Sequence, residues 1–262
     1  MDIRKLTNEL NILLNLERCI VGVKLVHSKE EYEKYSGKEL ILPMSYCVAV
    51  KCATLGHSIK LTRDTGGCFG SNRALGLVEC NPEFKSGESG CRLGLYETPQ
   101  VAASVANTVP ICENNTYGVI VKPLELFEDL PDVVLIISDT RAAMRILQGY
   151  TYVYGLTKGL CMSGNQAVCV EATLFPIFTK ELNLSMFCSG TRYKANWKPS
   201  EVISGIPIEK LEGLVKGLIG TINPIEMNDR KKEIEKGFRA LGCLDFEIDY
   251  EKTYFKTWKN KE

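Results

Sequence analysis

Residues Cys161 to Tyr193 read CMSGNQAVCVEATLFPIFTKELNLSMFCSGTRY, and both the fold and the chemistry of the chain turn on this run. Ser163-Gly164-Asn165-Gln166 is a polar turn of the kind that caps a helix, and AVCVEATLF follows it as helical sequence. That puts Cys169 in or near the first helical turn, where unpaired N–H groups and the helix dipole favour a thiolate. Pro176 is expected to end the helix. Asn183 to Phe187 then reads as a short strand that delivers Cys188 into the Ser189-Gly190 turn, from which a side chain can face a cleft. One sulfur at a helix start and one at a strand end are thereby predicted to meet.

Working outward, the same arrangement recurs upstream. Gly22 to Val26 is a strand, and Ser45 caps YCVAVKCATLG, so Cys47 sits in a first helical turn as Cys169 does. Ser58 to Thr62 is a strand running into RDTGGCFGSNRALGL, which presents Cys68 among Gly66, Gly67 and Gly70. Cys47 and Cys68 are 21 positions apart, and Cys169 and Cys188 are 19 apart. GVKLV leads the first half and DVVLI the second. The pattern reads as a duplicated unit, with half-repeats at 20–80 and 131–208 and two cysteine pairs facing across a pseudo-twofold axis.

The remaining elements fit one domain over 1–262. Ile3, Leu6, Leu10, Leu13 and Leu14 mark an opening amphipathic helix. A second, charged helix starts at Ser28. Residues 81–99, with Gly87, Gly90, Gly94 and Cys91, read as a flexible flap over the site. Thr98-Pro99 opens another helix, Tyr117 to Val121 is a strand, and DVVLIIS is a buried strand followed by a helix capped at Asp139-Thr140. Pro207 opens a helix through Leu218, Asp229 to Leu241 forms the next, and 244–262 is a tail. Strands alternate with helices and no Pro/Ser-rich linker intervenes. The fold class expected is therefore α/β or α+β, a single compact domain with mixed sheets and outer helices.

Thirty-two basic and thirty-two acidic residues give formal neutrality, so neither nucleic acid nor an anionic membrane surface is an expected partner. Apolar runs such as VVLII are too short to span a bilayer, and the N-terminal sequence is unlike a signal peptide. The expected location is the cytoplasm. The anomaly is eleven cysteines. An odd count in a reducing compartment fits a disulfide framework poorly. Cys19, Cys52, Cys80 and Cys243 read as small buried hydrophobes. His27 and His57 are too few for a His-rich metal site.

Four thiolates from two pairs suit a tetrahedral zinc or a [4Fe–4S] cluster. On spacing alone buried packing is the plainer reading, because there is no C-x-x-C and no ferredoxin-type run. Wide spacing favours a cluster or a catalytic thiol over zinc. No GxxxxGK[ST], strand-linked GxGxxG or HExxH is present. Arg192 is a candidate for holding an anionic group of a substrate, with Glu171 beside the cysteines as its companion. A structural ion pair is the plainer alternative for the two.

SYCVAVKCATLGHSIKLTRDTGGCFGSNRALGL, PDVVLIISDTRAAMRILQGYTYVYG, GNQAVCVEAT, and LNLSMFCSGTRY followed by EVISGIP resemble successive blocks of the "domain of unknown function 169" family, cytosolic proteins of anaerobic archaea and bacteria. The blocks run in order over roughly residues 20–220. The resemblance implies that Cys47, Cys68, Cys169 and Cys188 belong to the family pattern, with Gly190 and Arg192 of the CSGTR turn. It leaves Cys112 and Cys161 as further ligands to consider. The expectation is an iron–sulfur protein of anaerobic metabolism, doing redox or Lewis-acid chemistry on a small molecule. The alternative is a non-enzymatic protein that binds a tetrapyrrole or a metal through soft thiolates. A small-molecule ligand or an electron-transfer partner, and self-association, are the partners such a protein would have.

Overall fold

Val133–Ser138, VVLIIS, is buried at all six positions. A strand apolar on both faces needs cover on both sides, and that requirement sets the architecture. The structure, a computed structural model, describes residues 1–253, so residues 254–262 of the expected tail lie outside the described residues.

In chain order the elements are α1 (Ile3–Leu14), β1 (Val21–Val26), α2 (Lys29–Lys34), α3 (Tyr46–Ala53), β2 (Ile59–Thr62), α4 (Phe69–Ala74), α5 (Pro82–Lys85), α6 (Glu88–Arg92), α7 (Pro99–Thr108) and β3 (Gly118–Pro123). Then follow β4 (Val133–Ser138), α8 (Thr140–Tyr154), a π-helix (Ala167–Leu174), α9 (Phe175–Thr179), β5 (Asn183–Ser185), α10 (Ser189–Ala195), β6 (Val202–Pro207), α11 (Leu211–Gly220), α12 (Ile222–Ile225) and α13 (Asn228–Ala240).

The strands form one sheet in the order β2-β3-β1-β4-β6-β5. Neighbouring strands are antiparallel throughout, where mixed directions were expected, so the class is α+β. One face carries Val23, Leu135, Ile137 and Val121 under α3 and the π-helix. The other carries Ile20, Val134, Ile136 and Ile206 under α1, α8, α11 and α13. The sheet is thus sandwiched between helical layers, and the cysteines of interest all belong to the first.

The register repeats about the central β1–β4 pair, where Gly22 lies opposite Val134. Val21 pairs with Pro123, and Val133 pairs in the same way with Pro207. Both of these prolines end a strand and lead into a single 3-10 turn, Leu124–Leu126 in one case and Ile208–Lys210 in the other. In this repeated register β3 is the counterpart of β6, and it lies beyond residue 80 and after the 81–99 segment.

Four local features differ from expectation. EVISGIP contains β6, which its Ser204-Gly205 interruption hides. At Gly205 the backbone of the π-helix rests on the strand: a Cβ there would run into the carbonyl oxygen of Ala172 and lie 2.8 Å from Pro176 Cγ. Pro176 does not end the helical run, because it falls in the first turn of α9, where no N–H is needed for an intrahelical bond. The 81–99 segment carries α5 and α6, which pack on α7. The described part of the tail also packs, with Phe246 stacked on Phe238 at 4.1 Å between ring centroids.

Candidate functional site

Four helix starts meet on the first face of the sheet. Cys47 is the second residue of α3 and Cys169 the third of the π-helix, while Cys68 and Cys188 are the N-cap residues of α4 and α10. CSGTR therefore opens a helix rather than a turn. The contacts cross between the halves, with α10 packed on α3 and α4 on the π-helix. All four cysteines line one pocket of about 250 Å³, with no Asp or Glu in its wall. The predicted juxtaposition of these four side chains is what the fold produces.

Each thiol has a local reason for its place. Ser45 occupies the cap position of α3, but its hydroxyl lies 3.4 Å from Cys47 Sγ instead of capping the backbone. Cys188 Sγ accepts from the Thr191 N–H at 3.4 Å, as a capping oxygen would. Phe187, just before it, is held at φ 66°, a conformation rare for a bulky residue, and stacks on Trp197 with centroids 4.9 Å apart. Cys169 lies in an eight-residue π-helix, where Glu171 N–H donates to Gln166 O at 3.0 Å. Stretches of π-helix are rare and are found mostly at functional sites. Tyr46, fully buried in the floor, shares a 2.7 Å hydrogen bond with Thr173 of that helix.

The electrostatics are those of a thiol cluster. Burial pushes the Cys169 thiol well up, and the thiols of Cys68, Cys188 and Cys47 push it further. A cation bound beside Cys169 would reverse that balance. Among the described residues no three His, Cys, Asp or Glu side chains converge as the ligands of a single ion would.

The chain matches the family described as "Uncharacterised ArCR, COG2043", DUF169, over residues 9–217. It belongs to the DUF169 family. It is 29% identical over 220 residues to the uncharacterized protein MJ0308 of Methanocaldococcus jannaschii, an alignment covering 83% of this chain and 94% of that protein. No solved structure matches it. The span shared with DUF169 holds all four pocket cysteines. Among the described residues no helix is long and apolar enough to cross a membrane.

The other residues singled out from sequence lie elsewhere. Arg192 donates to the backbone carbonyls of Met186, Lys198 and Glu201 at 2.8, 3.0 and 3.1 Å, tying α10 to the start of β6. Glu171 accepts from the N–H groups of Ser163 and Gly164, at 2.6 and 2.8 Å, and from Ser185 Oγ at 2.5 Å. Neither lines the cysteine pocket, and the two form no ion pair with each other. Cys161 lines a separate pocket with Glu171, and Cys112 packs against the core. Sequence reasoning passed over Arg73, Asn165, Gln166 and Lys194, which surround the cysteines. Arg73 had a legible signal, a lone cation immediately before the apolar run ALGL.

Proposed function

We infer that this DUF169 protein binds an iron–sulfur cluster, held by Cys47, Cys68, Cys169 and Cys188 and used for redox or Lewis-acid chemistry on a small molecule. The observation carrying this reading is the convergence of four cysteines, from four helix starts, on one pocket that has no carboxylate. Zinc with four thiolates would need sulfurs about 3.8 Å apart, given Zn–S bonds of about 2.3 Å. The four cysteines are spread around the wall of one pocket, and a polynuclear centre spans a wider ring of sulfurs than one zinc does. A volume of about 250 Å³ also suits a cluster better than a tetrapyrrole macrocycle.

The donor set fits such a centre. A cluster ligated by four thiolates carries net negative charge, and open N–H groups at helix starts would offset it. Bound there, a cluster would supply electron transfer if four thiolates close it, or an open iron if only three do. The chain itself positions the thiolates, excludes carboxylates and keeps the floor apolar beneath Tyr46.

The test is purification without oxygen followed by iron, acid-labile sulfide and zinc analysis. Iron and sulfide in near-equal amounts, with the broad visible absorption of thiolate-bound iron, is the expected result. A colourless, stable protein free of iron and sulfide would overturn the reading, and zinc alone would replace it with a mononuclear site.

A further inference from the structure

Beside the cysteine pocket lies a second one of about 430 Å³. The two share Cys68, Gly70, Leu95, Asn165, Gln166 and Lys194 along their boundary. Phe84, Tyr96, Ala102 and Val105 give the second pocket largely apolar walls, and no Asp or Glu lines it.

Arg73 is set into this wall and is 7% exposed. Its guanidinium lies 3.4 Å from the Phe84 ring centroid, with Phe69 at 5.8 Å. Stacking occupies the faces of the guanidinium but not its donor edge. Nη2 reaches Gln166 Oε1 only at 3.4 Å, and Nε is buried with no hydrogen-bond partner. Burial holds the Arg73 pKa down, opposed by the neighbouring thiols of Cys80, Cys169 and Cys68. A buried cation with an unused donor edge is costly unless an anion meets it. Lys194, exposed at the shared boundary, adds a second positive charge.

We propose that this second pocket binds a small organic acid, with its carboxylate on the donor edge of Arg73, its apolar body against Tyr96, Ala102 and Val105, and its far end at the Cys68 boundary. One guanidinium edge matches a carboxylate bidentately. A phosphate dianion among these walls would leave most of its oxygens unmet. That this acid is the small molecule acted on at the cysteine pocket rests on the cluster reading above; the carboxylate site itself does not.

The test is equilibrium dialysis of the full chain, prepared without oxygen, against radiolabelled benzoate, with iron content measured in parallel. Benzoate is expected to bind once per chain, and neutral benzamide is expected not to displace it. Arg73→Met should weaken benzoate binding about tenfold or more, the loss of a charge-assisted pair. Lys194→Met, at an exposed position that leaves folding intact, should weaken it severalfold, and Arg239→Met on α13 should leave it unchanged. No uptake at millimolar benzoate, equal displacement by benzamide, or wild-type binding in both the Arg73 and Lys194 variants overturns the proposal. Iron loss in Arg73→Met, without benzoate uptake by the wild type, also overturns it and makes Arg73 a countercharge to the cluster. An iron-free chain that binds benzoate refutes the cluster reading alone. An iron-loaded chain that does not bind benzoate refutes only the carboxylate site.

Discussion

Glu171 separates an anchoring role from a substrate-binding one, and its replacement has a calculable cost. The residue is 1% exposed, and one carboxylate oxygen accepts from two backbone N–H groups and the Ser163 hydroxyl, the other from Ser185 Oγ. In Glu171→Ala the hydroxyls can turn to new partners but the N–H groups of Ser163 and Gly164 cannot. Each hydrogen bond to a charged group is worth about 1.5–3 kcal/mol, so losing those two costs about 3–6 kcal/mol. Glu171→Gln keeps an acceptor for both N–H groups and turns its amide toward Ser185, whose hydroxyl can accept. Only charge assistance is then lost, about 1–2 kcal/mol. In a chain of this size 1 kcal/mol moves Tm by roughly 2–4 °C. Thermal unfolding without oxygen should therefore show Glu171→Ala falling by about 6–24 °C and Glu171→Gln by about 2–8 °C. Equal losses for the two variants, or none in Glu171→Ala, would refute the anchoring role. Unchanged stability with weakened ligand binding would return Glu171 to a substrate-binding role.

The thiol of Cys112 is pushed up to about 11 by burial and then by Asp132. At about pH 8 it should react with iodoacetamide roughly a hundredfold more slowly than an ordinary thiol, because only the thiolate reacts, a difference that peptide mass spectrometry can follow. Glu181 has its pKa lowered from 4.5, first by the Tyr150 hydroxyl that donates to it, and also by Lys210. Its folded-state pKa lies below its unfolded one, so its contribution is present above about pH 4.5 and is lost as pH falls through the folded value. Glu181→Gln should flatten the acid side of the stability–pH curve measured by urea unfolding, and an unchanged slope would contradict the assignment.

The parts of the fold legible in sequence were those whose signal is local. VVLIIS shows burial on both faces directly, and Ser28, Thr98 and Asp139 cap α2, α7 and α8 through their side chains as their residue types suggest. The parts that escaped depend on contacts between distant segments. β6 is hidden because Ser204-Gly205 breaks its apolar run, and Gly205 is required by the Ala172 carbonyl and Pro176 packed against it. The π-helix, packed on β5 and β6, has no residue pattern distinguishing it from an α-helix. The four cysteines could be paired from sequence because each half reads as one cysteine at a helix start and one in a Gly-containing turn, although those turns open α4 and α10. The lining added by Asn165 and Lys194 could not, because it comes from the meeting of α10 with the loop before the π-helix.

The central claim is that four cysteines share one metal centre. Its most direct test is the set of single variants Cys47→Ser, Cys68→Ser, Cys169→Ser and Cys188→Ser prepared without oxygen, with Cys243→Ser, packed in the opposite layer, as the control. Iron content and the visible and paramagnetic spectra are compared with those of the wild type. Loss or reshaping of the cluster in the four variants, with the control unchanged, is the predicted result. Retention by one of the four alone would mark three-thiolate ligation with an open iron. Wild-type iron content and spectra in all four would contradict the shared centre.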